Sequence, residues 1–600
     1  MAKAELIKIT QKIFQRSQKT RESYLERMQK HKGKIHRQDL GCANLAHAYA
    51  SIPSNIKRKI IESERLNFAI VSAYNDMLSA HQPFKDYPDI LKKELFKYGA
   101  YAQFAGGVPA MCDGITQGYE GMELSLFSRD TIAMSVAIAL SHNVFDGAFY
   151  LGVCDKIVPG LLIGALSFGY LPSIFVPSGP MKSGISNDEK SKARELFAQA
   201  KITREQLLES EMKSYHDVGT CTFYGTANSN QMMMELMGLH LPNSAFINPN
   251  TSLRKALTKE AARIMTQNTI KPIGEMISEK NIINAMVGLM ATGGSTNHTI
   301  HLVAIARAAG IIINWDDFDA ISSITPLLAR VYPNGKADVN QFFAAGGLAF
   351  IVRELLNFGL LHEDAHTVMG EGMHFYTKDP FFIDEKLVFK ENRENSKDEN
   401  ILRTIKKPFS QDGGVKILRG NIGRAVIKIS AVKEEHQIIK APALVFHSQQ
   451  EFLEAFEKKQ LQKDFIAVIA FQGPRANGMP ELHKLTPPLG ILQEQGFKVA
   501  LITDGRMSGA SGKVPAAIHL SPEASMGGNI AKIQNGDMIL LDAKNGILQI
   551  LLDEQEFSQR KTTKFKKEEI FGCGRELFAA FRSQSSSAES GAMSFGGYFC

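Results

Sequence analysis

Tryptophan is almost missing from this chain, with one in 600 residues, and aromatics reach only 8%. That scarcity argues against an aromatic platform for stacked nucleic-acid bases. Charge of one sign is also lacking outside a single segment. Residues 1–40 hold 11 basic and 4 acidic residues, which accounts for the whole formal charge of +7. The rest of the chain carries 58 of each sign, so no basic stripe for duplex binding runs over the body. Cysteine is sparse: six residues, with no Cys-x-x-Cys pair. This fits neither a disulfide framework nor a zinc site, and it suits a reducing, cytoplasmic compartment. No apolar stretch follows the N-terminus, so no secretory signal is expected. Leu6, Ile9 and Ile13 recur at helical spacing and predict an amphipathic surface helix within the basic segment. The run Ile157 to Val176 has no charge, but Pro159, Gly160, Gly164, Gly169 and Pro172 interrupt it. A buried helix followed by a buried strand is predicted there, rather than a membrane span.

The length calls for roughly two to four domains. Residues 41–384 alternate short apolar runs (Phe68–Tyr74, Ala148–Val153, Pro172–Pro177) with helical patterns (Thr131–Ser141, Asp188–Ala200, Leu253–Thr266, Asn340–Phe358). This alternation predicts a large α/β domain with a mainly parallel sheet. Between Glu385 and Lys407, 12 of 23 residues are charged, which predicts a surface linker. Closely spaced strand candidates then fill 408–582, among them Ala425–Ser430, Ala443–Phe446, Phe465–Phe471, Lys498–Thr503, Asp537–Leu541 and Ile547–Leu552. They predict a smaller β-rich, barrel-like domain. Residues 583–600 are rich in Ser, Gly and Ala and predict a disordered tail.

Cys112, Cys154 and Cys221 each lie beside glycines in loop-like segments, with Cys154 just after a predicted buried strand. Open α/β sheets bind ligands at such strand ends. Inert packing is the competing reading for any one cysteine. Three thiolates on three loops suit an iron–sulfur cluster, in which one iron lacks a protein thiolate and can act as a Lewis acid. Cys42, Cys573 and Cys600 lack such settings. Cys112 and Cys154 are each followed by an acid, Asp113 and Asp155, and Lys156 comes next. Hard carboxylates suit Mg²⁺ and soft thiolates suit iron, so two adjoining sites are expected, against a reading of each Asp as a turn or cap. Glu481 follows the Gly-rich stretch at 478–480, and Ser508 follows the strand at 498–503 within Asp504–Gly509. No Gly-x-Ser-x-Gly elbow is present, so a hydrolase reading is weak. Gly293–His298 reads either as an anion-cradling turn or as a helix cap.

Together these segments resemble the dihydroxy-acid dehydratase and phosphogluconate dehydratase family over nearly the whole length. The matching stretches are Asn75-Asp76, Cys112–Met122, Cys154–Gly160, Gly179–Met181, Gly219–Asn230, Gly293–His298, Met479–Glu481 and Asp504–Gly509. Ala73–Phe84 and Val108–Asp113 resemble the phosphogluconate branch. Dihydroxy-acid dehydratases carry a cluster cysteine where this chain has Ser79, Ala80 and His81, and a serine where it has Cys112. The resemblance therefore implies a relocated ligand and a 4Fe–4S cluster on Cys154, Cys221 and Cys112. It further implies Asp113, Asp155 and Glu481 as Mg²⁺ ligands, Lys156 as the family's carbamylated lysine, and Ser508 as the base. The implied activity is a hydro-lyase of the Entner–Doudoroff route acting on 6-phosphogluconate, in a homodimer or homotetramer, with neither nucleic acid nor membrane as partner. A branched dihydroxy acid or an unphosphorylated sugar acid stays open as substrate, as does a non-catalytic iron–sulfur sensor. Lys182-Ser183-Gly184 and Arg506 are candidates for the phosphate contact.

Overall fold

Four short segments form a parallel sheet: β1 (Asn67–Ser72), β2 (Tyr101–Gly107), β3 (Gly147–Leu151) and β4 (Ser173–Val176). The order is β2-β1-β3-β4, and all neighbours run parallel. β1, β3 and β4 are buried throughout, as strands covered on both faces must be. The computed structural model describes the chain except residues 1, 63–64, 268, 393–394, 509–511, 565–571 and 596–600. Gly509 and Cys600 therefore lie outside the described residues.

The uncharged run after Lys156 resolves into helix Ile157–Ser167 and strand β4. Gly160 and Gly164 let this helix lie directly on helix Ser125–Leu140: a Cβ at Gly160 would sit 2.5 Å from the Arg129 carbonyl oxygen, and one at Gly164 would sit 2.5 Å from Val136. Among the described residues no single helix is long and apolar enough to cross a membrane. The basic N-terminal segment forms helix Ala2–Gln29, whose Leu6, Ile9 and Ile13 are buried against the large domain. Arg21 pins it there by donating to the carbonyl oxygens of Ala309, Gly274 and Ile277.

Residues 415–550 close an eight-stranded barrel. Its order runs Gly423–Lys428, Ala516–Ser521, Val499–Thr503, Phe465–Ile469, Ile438–Phe446, Met538–Asp542, Ile547–Ile550 and Val415–Gly420, which returns to the first. Phe465–Ile469 and Val499–Thr503 are parallel neighbours within it. Leu418, Ile427, Ala443, Val468 and Leu541 are among the side chains of its own apolar core.

Two expected segments differ. The charged stretch 385–407 is only partly a surface connection: Lys386–Glu391 pairs with Lys378–Ile383 as a hairpin, and Leu402 is buried beside Ala329. Residues 583–595 are not a disordered tail. Ala588, Ala592 and Met593 are buried, Arg129 donates to the carbonyl oxygens of Gly591 and Ala592, and Ser594 donates to Asp130. Small side chains there suit close backbone docking onto a buried ion pair, which composition does not reveal.

Candidate active site

The carboxyl ends of the parallel strands lead into loops that converge. β1 and β3 are adjacent while their onward connections leave toward opposite edges of the sheet, the place where open α/β sheets bind ligands. β1 leads to Asn75–His81, β2 to Cys112 and Asp113, and β3 to Cys154, Asp155 and Lys156. Cys154 has φ +74°, a conformation that costs a non-glycine residue roughly 1–3 kcal/mol. Asn230 Nδ2 holds that turn by donating to the carbonyl oxygens of Cys154 at 3.1 Å and Asp155 at 3.0 Å. Cys221 lies beside Gly219, whose φ of +121° and close approach to Met181 N (2.4 Å from a would-be Cβ) only glycine tolerates.

The segment Ser79–His81, where the family resemblance expects a cysteine in the other branch, braces both cysteine loops. The His81 ring lies 3.1 Å from the Val153 carbonyl oxygen, and Gly219 N donates to the Ser79 carbonyl at 2.8 Å. Burial drops His81 to about 4, so its imidazole is neutral.

Cys112, Cys154 and Cys221 open onto one cavity of about 670 Å³, together with Asp113, Asp155, Glu481 and Ser508. Burial pushes the Cys221 thiol up to about 12 and the Cys154 thiol well above its usual value. Cys154 is raised further by Cys112 and Cys221, and Cys221 by Cys112. Three sulfurs so placed cannot all ionise without a compensating cation, which is the condition that thiolate–metal binding satisfies. The donor set therefore fits an iron–sulfur group.

The carboxylates gather alongside. One oxygen from each of Asp113, Asp155 and Glu481 lies within 4.8 Å of the others. Lys156 Nζ donates to Asp155 Oδ2 at 2.7 Å and to Asp113 Oδ2. Arg506 donates to Glu481 at 2.6 Å and to Asp113 at 3.3 Å, Ser125 Oγ donates to Asp113 at 2.5 Å, and Asn297 Nδ2 donates to Glu481 at 3.1 Å. Burial would raise Asp113, but Lys156 and Arg506 outweigh it and hold that carboxyl well below the usual range. Burial raises Asp155 and lifts Glu481 to about 7 against the pull of Arg506. Three carboxylates face two cations, and the buried Asp155 Oδ1 accepts no hydrogen bond. That surplus of hard oxygen donors fits Mg²⁺.

The barrel supplies its share from adjacent parallel strands: Glu481 follows Phe465–Ile469, and Arg506 and Ser508 follow Val499–Thr503. Glu481 and Arg506 pair as a bridge, and Leu482 N donates to the Arg506 carbonyl at 2.9 Å. Arg506 is fully buried among the carboxylates, so it does not serve as a phosphate contact, and Lys182 and Ser183 do not line the cavity. Of the Gly293–His298 segment, Asn297 reaches the carboxylates while His298 is buried against Ser229. Ser125 and the clamping role of Arg506 carried no local signal in the sequence, and Asn230 entered only as the end of the matching stretch Gly219–Asn230.

Comparison with known proteins places this geometry. The family models for the N-terminal and C-terminal parts of dihydroxy-acid/6-phosphogluconate dehydratases match residues 65–379 and 400–592. A phosphogluconate dehydratase of Helicobacter pylori is 61% identical, over 99% of this chain and 100% of its own length. One of Pseudomonas aeruginosa is 57% identical over 98% of each chain, and a dihydroxy-acid dehydratase of Acetivibrio thermocellus is 34% identical over 83% of this chain and 89% of its own. Every residue of the cavity named above falls inside the two matched segments. The chain belongs to the dihydroxy-acid/6-phosphogluconate dehydratase family.

Proposed function

We propose that this protein is a 6-phosphogluconate dehydratase, converting 6-phosphogluconate to 2-dehydro-3-deoxy-6-phosphogluconate and water. The observation that carries this reading is one cavity in which three loop cysteines, three carboxylates and Ser508 meet, in a chain similar to phosphogluconate dehydratases from end to end. Cys112, Cys154 and Cys221 would hold a 4Fe–4S cluster and Asp113, Asp155 and Glu481 a Mg²⁺ ion, the first supplying a Lewis-acidic iron and the second positive charge for the substrate's carboxylate end.

The chemistry asks the chain for two things. The C2 proton, weakly acidic beside a carboxylate, must be taken by a base, and the C3 hydroxyl must leave as water. Ser508 lines the cavity and takes the C2 proton as its alkoxide. The C2–H electron pair becomes the C2–C3 double bond as the C3–O bond breaks, the proton taken by Ser508 passes to the departing hydroxide to give water and restore the alkoxide, and the enol then tautomerises to the 2-keto acid. Lys156, Arg506 and Asn297 keep the carboxylates oriented. Lys156 serves as a metal ligand only once carbamylated; as an amine it is a counter-ion to Asp113 and Asp155. A cytoplasmic, homo-oligomeric enzyme of carbohydrate metabolism fits this reading.

The test is turnover of 6-phosphogluconate, gluconate and a branched 2,3-dihydroxy acid by protein purified without air. Preference for 6-phosphogluconate is expected; turnover of the branched acid alone would refute the assignment.

A further inference from the structure

The cavity continues beyond the cysteines to a wall formed by helix Asn187–Ala198, Tyr215, His483 and residues 512–514. Among the described residues, the lysines and arginines that line the cavity are Lys190, Arg194 and Lys513. Lys190 and Arg194 are four residues apart, hence on one face of a helix whose start is fixed by a capping box between Ser186 and Glu189. Glu211 accepts from Arg194 Nε at 2.5 Å and from Nη2 at 3.0 Å, fixing the plane of the guanidinium. Lys190 Nζ donates to the Tyr215 hydroxyl and lies 3.9 Å from that ring's centroid. Burial, then the neighbouring Arg194, pushes Lys190 down to about 8 against the opposing pull of Glu211. The other cavity carboxylates on this side, Glu195 and Glu494, are exposed to solvent.

Cys221 lines the same cavity as Cys112, Asp155 and Lys190, and its thiol is raised by the first two and lowered by Lys190. On the barrel, Glu481 belongs to the carboxylate cluster, while His483, two residues on, lines the cavity with Arg194 and Lys190, whose charges add to burial in pushing its imidazole down.

We propose that Lys190, Arg194 and Lys513 bind the substrate's terminal phosphate, so that the acid spans the cavity with its carboxylate at the Asp113–Asp155–Glu481 cluster. This rests on the sugar-acid phosphate reading above and names the residues that select for it. An unphosphorylated acid brings no anion to Lys190 and Arg194, for which Glu211 is then the one paired carboxylate among the described residues, and a branched dihydroxy acid is too short to reach them.

The experiment compares wild type with Lys190→Gln, Arg194→Gln and the double variant, each loaded and purified without air. It reads kcat and KM for 6-phosphogluconate, and inhibition by inorganic phosphate. The expected result is competitive inhibition of wild type by inorganic phosphate. Each variant then raises both the phosphate inhibition constant and KM about tenfold, with kcat changed less than about threefold, as loss of one charge-assisted contact predicts. Unchanged KM and unchanged phosphate inhibition in the double variant would overturn the proposal, as would a loss confined to kcat. Wild-type protein that does not dehydrate 6-phosphogluconate at all would instead overturn the substrate reading beneath it.

Discussion

Arg506 donates from one Nη to Glu481 at 2.6 Å and from the other to Asp113 at 3.3 Å, so a single fully buried guanidinium joins the barrel to the parallel-sheet domain. Removing it leaves three carboxylates facing Lys156 alone. Breaking one side of a buried ion pair costs about 3–5 kcal/mol, because the abandoned charge stays desolvated. Arg506→Met is therefore expected to lower both the melting temperature and turnover, the latter by about 100-fold or more. Arg506→Lys should not restore either, since an ammonium cannot fork between two carboxylates. Wild-type turnover in Arg506→Met would contradict the clamp.

Ser508→Ala separates catalysis from assembly. Loss of a general base typically costs about 10²–10⁴ in rate. The variant should fall in kcat by that order, with its iron content and its absorption spectrum unchanged. A protein that keeps its turnover after this change does not use Ser508 as the base.

The two halves of this site differed in how well they could be read from sequence. Cys112-Asp113 and Cys154-Asp155-Lys156 are contiguous, so the pairing of soft and hard donors is written locally. Strands β1, β3 and β4 are uninterrupted apolar runs, and the barrel strands Phe465–Ile469 and Val499–Thr503 are too. β2 escaped notice because Tyr101–Gly107 is half-exposed along its length and ends in glycines, leaving no apolar run. Ala516–Ser521 is hidden for a different reason, a left-handed His519 within it. The part played by Arg506 depends on Asp113, nearly four hundred residues away, and no local pattern encodes such a pairing. The tail misled because small polar residues signal disorder only when nothing large and charged waits to receive their backbone.

That tail carries a stability prediction. Arg129 and Asp130 are fully buried, and residues 591–594 satisfy both. The same helix, Ser125–Leu140, begins with the serine that donates to Asp113. A chain ending at Gln584 should melt markedly lower, on the scale of about 3–5 kcal/mol for an exposed buried pair, and should lose activity with it. An unchanged melting temperature would show that the tail is dispensable.

Lys428 gives the fold a pH dependence with a definite sign. Its Nζ donates to the Gly293 and Gly294 carbonyl oxygens at 2.7 and 3.1 Å, anchoring the segment that bears Asn297. Burial pushes this ammonium from its ordinary 10.5 down to about 7. Between those values the unfolded chain binds more protons than the folded one, so this group's contribution to stability rises with pH across that window. Melting curves of wild type and Lys428→Met from pH 7 to pH 10 should show the difference moving in favour of wild type. A difference that stays constant with pH would contradict the buried, displaced lysine.

Iron and acid-labile sulfide per chain, measured without air in wild type and in Cys112→Ser, test the central claim most directly. With three loop cysteines holding one cluster, wild type should contain about four of each, and Cys112→Ser should lose most of both together with activity. A Cys112→Ser protein with the wild-type iron, sulfide and turnover would contradict the account.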